Sequence, residues 1–241
     1  SLVAVLPFAV YGVFTTRRRA PRALFLGVTA VLLASIVLTH SRSGAIAAGA
    51  ALLLYLFRGR GGLARGAVAA AVLAVAAAAL APETFWRRSE TLAHLEEDES
   101  VQGRENAWKV LRVVVDERPL TGVGAGAFLA AWPRYAPLSA GGHRYVAHNL
   151  FFEVLADGGL VALALLGAFV AWILRLVWRT GRAPLVGDEA RAIFAALAGY
   201  LVCEMANGYS MSWLLYFLFA CGVAAARMAR GRAALAREAA A

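Results

Sequence analysis

The residues best suited to chemistry lie in three short blocks. His148-Asn149 opens a stretch that reaches the pair Gly158-Gly159 and then an unbroken apolar run to Leu174. The glycine pair breaks the backbone, so 148–157 reads as a short helix with His148 or Asn149 at its N-terminal end. The partial positive charge of a helix N-terminus disfavours imidazolium, which leaves a neutral His available as a general base. On the residues alone a structural or capping His is the plainer reading, with the base as its alternative. Arg42 stands in the turn Thr39-His40-Ser41-Arg42-Ser43-Gly44. The apolar run after it, 44–57, is about 14 residues and so spans about 21 Å, short of the roughly 30 Å hydrocarbon layer. Either Arg58 snorkels, or Arg42 is recessed toward a polar cavity, where an ionisable group is costly unless paired. A contact with outer-leaflet headgroups is the other reading of Arg42. Arg104 begins an amphipathic segment and means little alone. Two Arg and a neutral His on one face, however, suit a diphosphate leaving group and an acceptor hydroxyl. Guanidinium forks hold phosphate oxygens and stabilise charge developing at the leaving oxygen, while His takes the acceptor proton.

These residues must be positioned by a chain of 241 residues that is 61% hydrophobic and only 16% charged. Soluble domains are about 45–50% apolar and about 25% charged, so this composition excludes a water-soluble globule. Apolar runs fall at 2–16, 23–39, 44–57, 66–82, 160–178, 192–206 and 209–226. One such helix can hide in a soluble core; seven in series leave no polar faces to meet water. The fold class expected is an all-α polytopic membrane protein with about seven transmembrane helices, several short enough to lean on flanking residues. Open strands are excluded because lipid cannot satisfy their edge hydrogen bonds.

The net charge of +9 is explained by topology. Arg17, Arg18, Arg19 and Arg22; Arg58, Arg60 and Arg65; Arg175, Arg179, Arg182 and Arg191; and Arg227, Arg230, Arg232 and Arg237 fall on every second connection and hold most of the 24 cations. The positive-inside rule places them in the cytoplasm. No nucleic-acid partner is needed, since that would call for a basic face interleaved with exposed aromatics. The opposite face holds the turn with Arg42, the long and nearly charge-balanced connection 83–147, and Asn207-Gly208. The chain therefore divides into four spans (1–82), a loop on the outer face (83–147), and an interfacial helix with three further spans and a basic tail (148–241). It begins at Ser1 within an apolar run, which leads to the expectation of a truncated N-terminus.

Within the long connection, 101–117 reads as an amphipathic helix with Trp108, Leu111, Val114 and Val115 on one stripe, lying along the membrane surface with Trp108 at headgroup depth. Arg118-Pro119 ends it. Gly122, Gly124 and Gly126 follow; no strand precedes them, so a dinucleotide site is disfavoured, and a tight turn or close backbone approach is expected. Trp132, Pro133, Arg134 and Tyr135 read as an interfacial anchor. The acidic run Glu96, Glu97, Asp98 and Glu99 is contiguous, unlike a calcium loop, and reads as a solvated patch. His143 lies five residues before His148 with no third ligand at useful spacing, so no metal and no cofactor are expected. Cys203 and Cys221 show no metal or disulfide pattern.

The three blocks, in this order, resemble the O-antigen ligase and polymerase superfamily, which attaches or extends bacterial surface glycans from a polyprenyl-diphosphate carrier. The resemblance rests on Thr39 to Gly44; on Gly103-Arg104-Glu105-Asn106-Ala107-Trp108 continuing to Pro119-Leu120-Thr121-Gly122-Val123-Gly124; and on His148-Asn149 with nine residues before Gly159. The ligases of the superfamily carry Gly, Thr or Tyr three residues after that glycine, where this chain has Ala162, a steric departure that bears on helix packing. The resemblance implies His148 as the catalytic residue acting on the acceptor and Arg42 and Arg104 as the diphosphate-binding residues, in a metal-independent, inverting glycosyl transfer. It implies an undecaprenyl-diphosphate-linked glycan as donor, lipid A core or another glycan as acceptor, and the periplasmic face of the bacterial inner membrane as the place. A polymerase or a protein O-oligosaccharyltransferase of the same superfamily fits nearly as well. A transporter fits poorly, because within the apolar runs only Arg175 and Glu204 are ionisable and both lie toward ends.

Overall fold

The computed structural model describes residues 2–39, 41–58, 99–138, 143–184, 186–207 and 212–239. The run 66–82, His40 and the acidic residues 96–98 lie outside the described residues. Among the described residues there are eight helices and no strand: α1 (Leu2–Thr15), α2 (Arg19–Leu38), α3 (Arg42–Phe57), α4 (Glu99–Glu117), α5 (Phe128–Tyr135), α6 (Leu150–Thr180), α7 (Gly187–Glu204) and α8 (Trp213–Glu238). Three of these, α2, α6 and α8, are long and apolar enough to cross a membrane, while α1 and α3 are apolar but shorter. Their outward faces carry large apolar side chains: Leu24, Val31 and Leu38 on α2 and Val161, Leu165 and Trp172 on α6 are each more than half exposed. A helix apolar on all sides and left bare by its own chain is stable only against lipid. The chain is a helical membrane protein.

The described residues form two compact units. The first draws on 1–81, 171–203 and 213–241, the second on 82–170 and 204–212. In the first, Val3, Leu6 and Val10 of α1 pack with Ile36 of α2, with Ala47, Ala48, Ala51 and Leu52 of α3, and with Ala192 and Ala195 of α7. The alanines let helix backbones approach closely where lipid gives no hydrophobic drive to pack. Ser41 caps α3, its hydroxyl accepting from Gly44 N–H at 3.1 Å. Asp188 and Glu189 occupy the first turn of α7, where the helix dipole favours acids. The basic residues from Arg227 to Arg237 continue α8 as helix rather than forming an irregular tail.

The second unit is built on α4. The amphipathic helix read at 101–117 is present and begins two residues earlier, at Glu99. Its buried stripe is Ala107, Val110, Leu111 and Val114, spaced one helical face apart. Trp108 is off that stripe: it is 42% exposed, its ring meets Phe152 edge-on at 5.4 Å, and its Nε1 donates to the Ala147 carbonyl at 3.1 Å. Against α4 lie Phe128, Trp132 and Tyr135 of α5. This corrects the reading of 132–135 as an interfacial anchor. Trp132 is 2% and Tyr135 4% exposed, so both are core, while Pro133 and Arg134 between them are exposed.

Because Trp132 is core, Trp132→Ala is expected to cost about 3–5 kcal/mol, measured as denaturant unfolding of the detergent-solubilised protein. A loss under about 1 kcal/mol would return Trp132 to the surface.

Candidate functional site

The His148 block is organised around Asn149. Its Oδ1 accepts from the N–H groups of Phe151 at 2.9 Å and Phe152 at 3.2 Å, and its carbonyl accepts from Glu153 N–H at 2.9 Å. Asn149 is therefore the N-cap of α6, satisfying amides that a helix start leaves unpaired. His148 precedes the cap with φ of 51°, in the left-handed region that a non-glycine residue enters only under constraint. The constraint is visible on both sides: Ala147 is buried and its carbonyl is held by Trp108, while Asn149 Nδ2 donates to the Met205 carbonyl at 2.9 Å.

Arg104 is tied to the same short segment. Its Nη2 donates to the Ala206 carbonyl at 3.2 Å, and its Nε is buried without a hydrogen-bond partner among the described residues. Adjacent carbonyls, at 205 and 206, thus hold the cap of the His148 helix and the guanidinium of α4. The consequence for His148 is electrostatic. Partial burial, and secondly the Arg104 charge, hold its imidazole below the ordinary value of 6.5. A half-buried imidazole that stays neutral beside a cation can accept a proton.

What fixes α4 and α6 together is a backbone seam. Val123 N–H donates to the Ala156 carbonyl at 2.9 Å, Gly124 N–H to the Asp157 carbonyl at 2.8 Å, and Leu160 N–H to the Pro119 carbonyl at 2.7 Å. Two glycines make this possible. A Cβ on Gly122 would lie 2.3 Å from the Ala156 oxygen, and one on Gly159 would lie 2.3 Å from the Leu120 carbonyl carbon. Both have positive φ, 61° and 68°, so they supply backbone geometry as well as space. Gly159, with ψ of −166°, is also where α6 kinks, as the glycine pair predicted. The carboxylate of Asp157 then accepts from Gly126 N–H at 2.7 Å and Phe128 N–H at 3.2 Å, capping α5 from across the seam. Ala162 lies against Gly158, whose missing Cβ leaves room for it: a Cβ there would fall 2.3 Å from that of Ala162.

The structure thus places His148 and Arg104 in one compact unit and couples them electrostatically. Arg42 is the first residue of α3, half-buried beside the capping Ser41, and belongs to the other unit. Asp157 and the carbonyls of Met205 and Ala206 were missed by sequence reasoning. Asp157 had a faint signal, an acid directly before a glycine pair and a glycine-rich turn elsewhere in need of an acceptor; the carbonyls had none. His143 packs on the Tyr145 ring at 4.8 Å, an aromatic contact.

Fold and site together define a multi-pass helical membrane protein with a polar site at the start of α6. Residues 27–167 match the family model described as O-antigen ligase, and since this is more than half of the 241 residues, the chain belongs to that family. The match takes in Arg42, Arg104 and His148, and the family implies lipid-linked glycan substrates in a membrane environment. No curated protein matches the chain.

Gly159→Ala tests the seam. It combines a backbone conformation that costs a non-glycine residue about 1–3 kcal/mol with a clash against the 120–121 peptide. A lowered melting temperature together with new protease cleavage near residues 119–124 is expected; unchanged stability would show that the seam does not carry the unit.

Proposed function

We propose that this protein is an O-antigen ligase that transfers a glycan from undecaprenyl diphosphate to lipid A core, at the periplasmic face of the bacterial inner membrane, through about seven spans in this chain. The observation that carries the reading is the half-buried imidazole of His148, held in a left-handed backbone conformation at a helix start, where burial and the Arg104 guanidinium disfavour its charged form. The acceptor hydroxyl attacks the anomeric carbon and His148 takes its proton. The bond from that carbon to the diphosphate oxygen breaks on the opposite side, which inverts the centre. Negative charge gathers on the diphosphate, and Arg104 and Arg42 stabilise it as it forms. Nη2 of Arg104 is committed to Ala206, so its role uses the remaining edge of the guanidinium. Nothing in this step calls for a metal: proton transfer goes to His148 and charge stabilisation comes from guanidinium groups.

A polymerase of the same superfamily would run the same displacement with a sugar hydroxyl of the growing glycan as acceptor. Deleting the gene separates the two. Loss of a ligase leaves no glycan on the core, whereas loss of a polymerase leaves a single repeat unit attached.

The direct test is reconstitution of the full-length protein with a polyprenyl-diphosphate glycan and lipid A core. His148→Ala is expected to abolish transfer while leaving the protein folded and inserted in the membrane, because His148 lies outside the buried core of its unit; retained transfer would sink the assignment. In the same assay Arg42→Lys is expected to lower the rate by about tenfold or more, since a point charge does not replace a bidentate fork. Wild-type activity would leave Arg42 a headgroup contact.

The pH dependence follows from the sign of the His148 shift. Its folded value lies below 6.5, so the neutral base is favoured above that pH and is lost as pH falls through the lowered value. The rate of transfer is expected to show an acid limb with its midpoint below pH 6.5. A midpoint above it would contradict the lowered His148 value on which the reading rests.

A further inference from the structure

The first unit contains a cavity of about 790 Å³, within the range of small-ligand sites, whose wall includes Tyr55, Arg58, Trp178, Arg182, Asp188 and Arg191. None of these residues takes part in the transfer chemistry. Three guanidinium groups face one carboxylate, and that carboxylate is already paired: Asp188 binds Arg191. The neighbouring acid, Glu189, accepts from the Tyr11 hydroxyl at 2.9 Å.

Arg58 and Arg191 are held in place rather than left loose. The Arg58 guanidinium carbon lies 3.3 Å from the Trp178 ring centroid and 4.8 Å from that of Phe194. Its Nη2 donates to the Trp178 carbonyl at 3.0 Å, and Nη1 is buried without a hydrogen-bond partner among the described residues. Arg191 Nη1 donates to the Arg58 carbonyl at 3.2 Å. Burial first, and then the neighbouring charges of Arg191 and Arg182, pull the Arg58 guanidinium down to about 10. A pre-positioned surplus of guanidinium in a cavity selects tetrahedral oxyanions, which it grips through paired N–H groups.

We propose that this cavity binds a phosphate-bearing anion, and that the phosphate is the headgroup of an anionic phospholipid. Two observations favour the lipid source. Phe14 and Trp178 share the wall with the arginines, so an apolar flank adjoins the cationic one, as it does where a lipid headgroup meets its glycerol and acyl chains. The residues also come from the connections whose basic charge places them beside the cytoplasmic leaflet, where anionic lipids concentrate. Binding there would tie α3 to the α6–α7 connection.

The test is native mass spectrometry of the full chain in detergent, titrated with phosphatidylglycerol, with phosphatidylcholine and with inorganic phosphate. Two single variants decide it. Arg182 is exposed and lines the cavity; Arg179, in the last turn of α6 three residues earlier, is also exposed and does not line it. Phosphatidylglycerol is expected to bind at one per chain, in preference to phosphatidylcholine. Arg182→Gln should weaken it about tenfold while Arg179→Gln leaves it within about twofold, the loss of one charge-assisted contact against none. Displacement of the lipid by inorganic phosphate with the same variant pattern would support the phosphate site and assign it a soluble source. Equal binding of both lipids, or equal weakening by the two variants, would overturn the proposal and leave these arginines as topology signals alone.

Discussion

The second unit rests on a backbone contact that only glycine permits. Where the 119–124 turn meets 156–160, three peptide hydrogen bonds cross between segments, and they form only because Gly122 and Gly159 carry no side chain. Peptide groups in a membrane-facing protein must be paired internally, so two irregular segments that pair with each other solve both their problems at once. From that seam the rest follows: Asp157 caps α5, α5 packs Trp132 and Tyr135 onto α4, and α4 presents Arg104. The polar site adjoins the seam, since the kink at Gly159 ends the short first segment of α6 that Asn149 caps and His148 precedes.

The tethers at Met205 and Ala206 add a second constraint of a different kind. Asn149 and Arg104 each donate to a main-chain carbonyl of one short segment, so the orientation of the His148 helix and of the guanidinium are not independent. A neutral carbonyl acceptor brings no opposing charge, whereas a carboxylate in its place would offset the field of the guanidinium. That choice of acceptor keeps Arg104 useful both as a cation for a phosphate and as a neighbour that keeps His148 neutral.

Much of this was readable in the sequence where the signal is local. The apolar runs, the amphipathic period of α4 and the glycine break before 160 are properties of a few consecutive residues, and helix, stripe and kink follow from them. The extent of each element was less legible: α4 starts at Glu99, and α8 carries its helix through Arg227 to Arg237. Trp132 and Tyr135 were misread for a physical reason. An aromatic pair next to Pro133 and Arg134 looks the same whether it meets lipid headgroups or a core, and what decides is a partner more than fifteen residues earlier, at Val110 and Val114. Asp157 is the same case in reverse. Its partners are the amides at 126 and 128, so nothing near it in the chain announces a cap. Arg104 stood out only through its motif, because its burial and its carbonyl partner are tertiary facts.

The central claim is that the fold itself keeps His148 neutral beside Arg104. It is tested most directly by nuclear magnetic resonance titration of isotope-labelled histidine in the full-length protein in nanodiscs, with the His148 resonance assigned by its loss in His148→Gln. The account predicts a midpoint below 6.5 that rises when Arg104 is replaced by Gln. A midpoint at or above 6.5, unmoved by Arg104→Gln, would contradict it.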